Sequence, residues 1–214
     1  ILATLGPASS AAGILRRMML CGLDAVRLNF SHGTPETHLG NARLVRALNK
    51  KYRRHMRVLQ DLKGNRIRIG LLKAPIALKK KQAVTLVQSM TAPEPGEIPF
   101  DYRGSLKVIK KGHFIFIDDG SIALEIKAAP GRDTIKCEVA AGGILKERKG
   151  VNIPLARLDF PLLSAEDRSD IEFGLALDCD FIAQSFVRSR AEVAAVSRLV
   201  KPRLPGCKII AKIE

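Results

Sequence analysis

Two rhythms of apolar and polar positions alternate along the chain. Over residues 1–70 short apolar runs suited to strands exchange with stretches of helical period. The run "ILATL" predicts a strand, followed by a helix from about Ser10 to Cys21 with Gly22 placed to cap its C-terminus. "DAVRLNF" predicts a second strand. In "TPETHLGNARLVRALNK" Thr34 is placed as N-cap and Pro35 at the first helical position, with Leu44, Val45 and Leu48 on one face. "RVLQDL" completes a β-α-β-α-β series, which implies parallel strands joined by right-handed crossovers.

From Leu71 to Asp159 the rhythm shortens. "AVTLV", "HFIFI", "IALEI" and "TIKCEV" are separated by turn chemistry at Pro93 to Pro99, Asp118-Asp119-Gly120, Pro130-Gly131 and Gly142-Gly143, the pattern of a small all-β domain. The helical period then returns. Ser164 and Asp167 have the spacing of a capping box for a helix to about Asp178. A strand "DFIAQSFV", a helix near Ser189 to Lys201 and a closing run "CKIIAKI", which reads as a buried strand, follow. The expected division is residues 1–70, 71–159 and 160–214, with the all-β part inserted into a β/α array that has no internal repeat. Five β/α strands fall short of the eight of a closed barrel, so periodicity alone favours an open doubly wound sheet. The glycine fingerprint such a sheet often carries is absent, since "TLGPASS" has one Gly.

Composition narrows the classes. A hydrophobic share of 46% excludes a disordered chain. No apolar stretch reaches the roughly 20 residues that span a bilayer and no signal-peptide layout opens the chain, so the expected place is the cytoplasm. Ile1 begins inside an apolar run with no Met, as if a strand were entered part-way. The four cysteines lack CxxC spacing and read as buried reduced thiols. A net charge of +15 fits anionic partners: nucleic acid, a membrane surface or phosphorylated metabolites. Clusters such as Arg53-Arg54-His55 and Lys79-Lys80-Lys81 have no interleaved aromatics, and 5% aromatic residues leave little for base stacking, so these runs read as solvated surface and nucleic acid is disfavoured.

Polar residues gather where strands end. Arg27, Asn29 and Ser31 alternate with Leu28 and Phe30 and so share one face. Asp61 ends the third strand, ahead of Lys63, Arg66 and Arg68; Ser185 ends the fourth; Lys212 and Glu214 end the fifth. One such strand is as well explained by a wet edge, and Lys212 with Glu214 by a structural ion pair. Several ends together supply cations for phosphate oxygens and oxygens for metal ions, the parts that phosphoryl transfer requires.

"TLGPASS", "RLNFSHGTPETH", "LQDLKGNRIRIG", "IDDG", "RKGVNIP", "DFPLLSAEDRSDIEFGL", "SFVRSRAEV" and "KIIAKIE" stand in an order and spacing that resembles the pyruvate kinases over essentially the whole chain. The resemblance implies a partial (β/α)₈ TIM barrel, interrupted after its third strand by a small all-β barrel domain that acts as a mobile lid. It implies phosphoryl transfer from phosphoenolpyruvate to ADP, giving pyruvate and ATP. In that reading Lys212 is the catalytic lysine at the transferring phosphoryl group, and Arg27 and Arg68 grip phosphate. Glu214 holds Mg²⁺ or Mn²⁺. Asn29, Ser31, Asp61 and the Leu62 carbonyl match a monovalent-cation site. Lys149 reaches the nucleotide phosphates, Pro7 and His32 lie beside the nucleotide, and Ser185 beside the substrate.

Departures qualify the resemblance. Where potassium-dependent members read "GPEIRTG" this chain reads "GNRIRIG", and Arg66 in place of the Glu points to potassium independence. Asn65, Ile69 and Thr37 also differ from the common pattern. The family's pattern continues beyond "KIE" with a second metal-binding Asp, further strands and an effector domain, so the resemblance implies a chain that stops inside an active site. It also implies a homo-oligomer in complete form. The alternative is a truncated, non-catalytic homologue that binds phosphometabolites or a full-length subunit.

Overall fold

The N-terminal rhythm is realised as β1 (Leu2–Thr4), α1 (Ala12–Leu20), β2 (Ala25–Asn29), α2 (Pro35–Tyr52) and β3 (Arg57–Asp61) in a computed structural model that describes every residue except Pro93, Pro95, Arg157 and Glu214. Thr34 caps α2 by accepting the Thr37 N–H at 3.3 Å, and Pro35 opens the helix, where its missing N–H costs nothing. The buried stripe of α2 is His38, Asn41, Ala42, Val45 and Leu48, while Leu44 is only half-buried. α2 ends on Arg53 at φ 52°, a left-handed cap held by a residue other than glycine. Just beyond, the Asn49 amide makes paired hydrogen bonds with the Met56 backbone at 2.8 and 2.9 Å. Cys21 follows α1 on the surface, so the expectation of four buried thiols fails there: a capping position leaves the side chain outside the apolar stripe.

The shorter rhythm gives β4 (Ile67–Arg68), β5 (Ile76–Leu78), β6 (Ala83–Gln88), β7 (Glu97–Phe100), β8 (Phe114–Ile117), β9 (Ile122–Ile126), β10 (Thr134–Ala141), β11 (Gly143–Leu145) and β12 (Gly150–Asn152). Seven of them form one sheet in the order β4-β12-β8-β9-β10-β6-β7, and an Ile69–Phe100 bridge joins its two ends; β5 and β11 form a separate pair. Residues 97–99, the end of the turn expected from Pro93 to Pro99, belong to strand β7. Pro99 is tolerated there because β7 is an end strand, and its carbonyl accepts the Gly70 N–H at 2.8 Å. The expected turn residue Pro93 lies outside the described residues. Inward-facing Leu86, Ile98, Phe100, Ile115, Ile117, Leu124, Ile126 and Ile135 make one apolar core. Each such side chain contributes about 1.5–3 kcal/mol on burial.

The chain closes with α3 (Ala165–Ala176), β13 (Phe181–Gln184), α4 (Arg190–Val200) and β14 (Lys208–Ala211). Ser164 accepts the Asp167 N–H at 2.9 Å, but the Asp167 carboxylate accepts from Gly64 N at 3.1 Å, so a different donor takes the second half of the expected capping box. Contacts divide the α/β chain into two compact units, residues 1–65 with 161–214, and residues 66–160.

In the first unit every strand pairing is parallel and the order is β1-β2-β3-β13-β14. This order runs in one direction with the sequence, whereas a doubly wound sheet reverses direction at a switch point, so the expectation from periodicity is corrected. β14 is largely exposed rather than buried, because it has one neighbour in the sheet. Gln60, on the opposite face of β3 from Asp61, packs under α3: its Nε2 donates to the Asp170 carbonyl at 2.5 Å, and only a glycine at 174 leaves room for its amide.

Candidate functional site

Register places the site. Asn29 stands opposite Asp61, Asp61 opposite Ala183, and Ala183 opposite Ile210, so the inward positions of β2, β3 and β13 are aligned. The alternate positions Val26, Leu28, Val58 and Ile182 are buried among the helices. Arg27 lies two residues before the Asn29 level. Ser185 and Lys212 lie two residues beyond it, held in line by Lys212 N to the Gln184 carbonyl at 2.9 Å and Val187 N to the Lys212 carbonyl at 3.0 Å.

Asp61 is the centre of this arrangement. Its side chain is 2% exposed, and two cations approach it from opposite sides. Arg27 donates through Nε at 2.6 Å and reaches the same Oδ2 through a terminal nitrogen at 2.5 Å. Lys212 Nζ donates to Oδ1 at 3.1 Å and Oδ2 at 3.3 Å, and to the Ser185 hydroxyl oxygen at 2.8 Å. Ser185 in turn donates to the Leu62 carbonyl at 2.7 Å. The cations keep about a third of their surface, 30% for Arg27 and 32% for Lys212, so each faces solvent as well as the carboxylate. A buried carboxylate with two hydrogen-bonded cations is compensated; a lone one in that place would be costly.

The supporting turns are specific. Asn29 Oδ1 accepts the Ser31 N–H at 3.1 Å, which fixes the exit of β2. Gly64 at φ +69° sits against the Ser185 backbone, where an added Cβ would stand 2.6 Å from the Ser185 carbonyl oxygen. Phe186 follows at φ 56°, a strained conformation for a bulky residue. Lys63 pairs with Glu166 of α3, which with the Gly64–Asp167 bond ties this loop to the helix.

Thr4, which the sequence did not single out, accepts from Arg27 Nη1 at 3.0 Å; the only signal was one hydroxyl in the first apolar run. His38 also went unmarked. Its ring stacks on Phe30 at 4.2 Å, Nε2 lies 3.0 Å from the His32 carbonyl, and burial holds its imidazole below the usual value. His32 and Pro7 are exposed in the loops after β2 and β1.

Of the remaining named residues, Arg68 and Lys149 belong to the second unit. There the Arg68 N–H donates to Asp101 at 2.6 Å and its guanidinium to the Arg148 carbonyl at 3.1 Å. Burial first, then Arg66, draws the Arg68 guanidinium below its ordinary value, and burial raises Asp101. Lys149 pairs with Asp118 at 2.9 Å. Glu214 lies outside the described residues. Among the described residues no group of three or more His, Cys, Asp or Glu could hold a metal ion, and no helix is long and apolar enough to cross a membrane.

Comparison with known proteins finds the pyruvate kinases. The model of the pyruvate kinase barrel domain matches residues 1–214. A pyruvate kinase of Agrobacterium vitis is 41% identical over 217 residues, which cover all of this chain and 44% of that protein. A second from the same organism is 39% identical with 45% of its length covered, and one from Staphylococcus aureus (strain USA300) is 32% identical with 37% covered. The chain therefore spans less than half the length of these curated relatives.

Proposed function

The chain belongs to the pyruvate kinase family, and from that premise we propose that it serves the transfer of a phosphoryl group from phosphoenolpyruvate to ADP, as the N-terminal part of a partial (β/α)₈ barrel with an inserted all-β domain. The observation that carries the reading is the pairing of Arg27 and Lys212 on one buried carboxylate at the C-terminal ends of parallel strands. In β/α folds that end is where substrates bind.

A phosphoryl group in flight is a loosely bonded anion, and fixed cations stabilise it more than the ground state. Lys212 is the residue for that role. Arg27 supplies a phosphate contact in the first unit, Ser185 borders the substrate, and Pro7 and His32 the nucleotide; Arg68 and Lys149 are the phosphate-binding candidates of the second unit taken by itself. A divalent ion, Mg²⁺ or Mn²⁺, supplies charge neutralisation when bound, with Glu214 as its assigned ligand. Independence of potassium belongs to the same reading, supported by Arg66 in "GNRIRIG". So do a cytoplasmic setting and a homo-oligomer.

The test is ³¹P NMR of phosphoenolpyruvate, ADP and Mg²⁺ with the chain as its gene encodes it. The expected result is loss of the phosphoenolpyruvate resonance matched by growth of ATP. Release of inorganic phosphate alone, or an unchanged spectrum with both ligands bound, would contradict the reading; the latter would favour a non-catalytic binder.

A further inference from the structure

Of the four residues that the resemblance assigns to a monovalent cation, Asn29, Asp61 and Leu62 already have their oxygens engaged by the protein, and Ser31 contributes its N–H to one of those contacts. Both Asp61 oxygens take charged donors from Arg27 and Lys212, Asn29 Oδ1 takes the Ser31 N–H, and the Leu62 carbonyl takes the Ser185 hydroxyl. A further monovalent cation would stand beside two fixed positive charges, so this donor set does not fit one.

The same contacts have another consequence. A lysine ammonium is a compact charge on a flexible four-carbon stem, and without anchors it does not hold one place. Here Lys212 is anchored from two strands: by Asp61 at the end of β3 and by Ser185 at the end of β13. Ser185 is itself oriented. Its hydroxyl lies 2.7 Å from the Leu62 carbonyl and 3.4 Å from Asp61 Oδ1, and donation along the shorter of the two leaves an oxygen lone pair for Lys212. Asp61 is shared, so the position of Arg27 and that of Lys212 are coupled through one buried carboxylate.

We infer that Asp61 and Ser185 are positioning residues for Lys212, with Asp61 acting as the common counterion of Lys212 and Arg27 and not as a cation ligand. The inference rests on the role proposed for Lys212 in phosphoryl transfer. A substrate phosphate that draws Arg27 away would leave the Asp61 charge to Lys212, so occupancy at one cation is felt at the other.

The experiment is a ¹H–¹⁵N correlation spectrum of lysine ammonium groups in the folded chain, with the Lys212 resonance identified by its loss in Lys212→Arg. The expected result is a Lys212 resonance separate from those of exposed lysines, lost or shifted in Asp61→Asn and in Ser185→Ala, and unmoved when potassium replaces sodium at constant ionic strength. A resonance among the exposed lysines, one that neither substitution moves, or one displaced by potassium would overturn the assignment. Amide spectra report whether each variant is folded, and Ser185→Ala, which removes one hydroxyl, carries the test alone if Asp61→Asn is not. The readout needs neither substrate nor turnover, so absence of phosphoryl transfer would count against the proposed function only.

Discussion

Lys212 and Asp61, 151 positions apart in the sequence, meet at 3.1 Å across an intervening strand. Their strands, β14 and β3, are both neighbours of β13, so the lysine stem, its hydrogen bond and the Asp61 side chain together bridge about two strand spacings, roughly 10 Å. Between them, on β13, Ala183 stands opposite both Asp61 and Ile210 on the same face. A small side chain there keeps the path open.

Ala183→Leu should close that path. The substitution overfills a position that is 2% exposed, so a loss of about 1–3 kcal/mol in urea denaturation is expected. Pyruvate formation should fall by at least about tenfold, because Lys212 is displaced from its anchors. Unchanged turnover in a folded variant would show that the contact across β13 is dispensable.

Gly64→Ala combines two penalties, a left-handed φ of +69° and a Cβ 2.6 Å from the Ser185 carbonyl oxygen. Backbone atoms cannot swing aside as a side-chain tip can. A destabilisation of about 1–3 kcal/mol by chemical denaturation is expected, with a loss of activity through the shift of Ser185.

Asp170 predicts a pH dependence of stability. Burial pushes its carboxyl up from 3.8 to about 6, Glu166 and Asp167 add to this, Lys63 opposes it, and Oδ2 has no hydrogen-bond partner. Between these values the folded chain holds a proton that the unfolded chain has lost. The contribution of this group is therefore present below about pH 4 and is lost as pH rises through about 6. Asp170→Asn should raise the melting temperature at pH 7.5 and leave it nearly unchanged at pH 4. Equal effects at both values would count against a raised folded value.

Thiol chemistry should separate one cysteine from three. Cys21 is exposed, whereas burial pushes Cys137 and Cys179 up to about 12 and also raises Cys207. Under native conditions Ellman's reagent should titrate one fast thiol, which Cys21→Ser removes, with the other three reacting only on unfolding.

Much of this was legible in the sequence because local chemistry decided it. Thr34 and Ser189 cap their helices as their residue types suggest. Strand-end alternation also singled out Arg27, Asp61, Ser185 and Lys212. What it could not give was their pairing. Whether Asp61 faces a bound ion or two protein cations depends on strand order and register, which are non-local. Sheet winding failed for the same reason, since one-way and two-way orders have the same periodicity. β7 is hidden in the sequence because three prolines from Pro93 to Pro99 resemble a turn, and only an end strand can hold Pro99 within it.

The most direct measurement is pyruvate formation from phosphoenolpyruvate and ADP with Mg²⁺, comparing the parent chain with Lys212→Met in samples matched for fold by circular dichroism. Loss of one preorganised cation at the transferring group should lower kcat by about 10²–10³-fold or more, with substrate binding largely kept. Turnover in the parent that survives the substitution within a fewfold would contradict the role given to Lys212 and, with it, the reading of this strand-end cluster as the phosphoryl-transfer site.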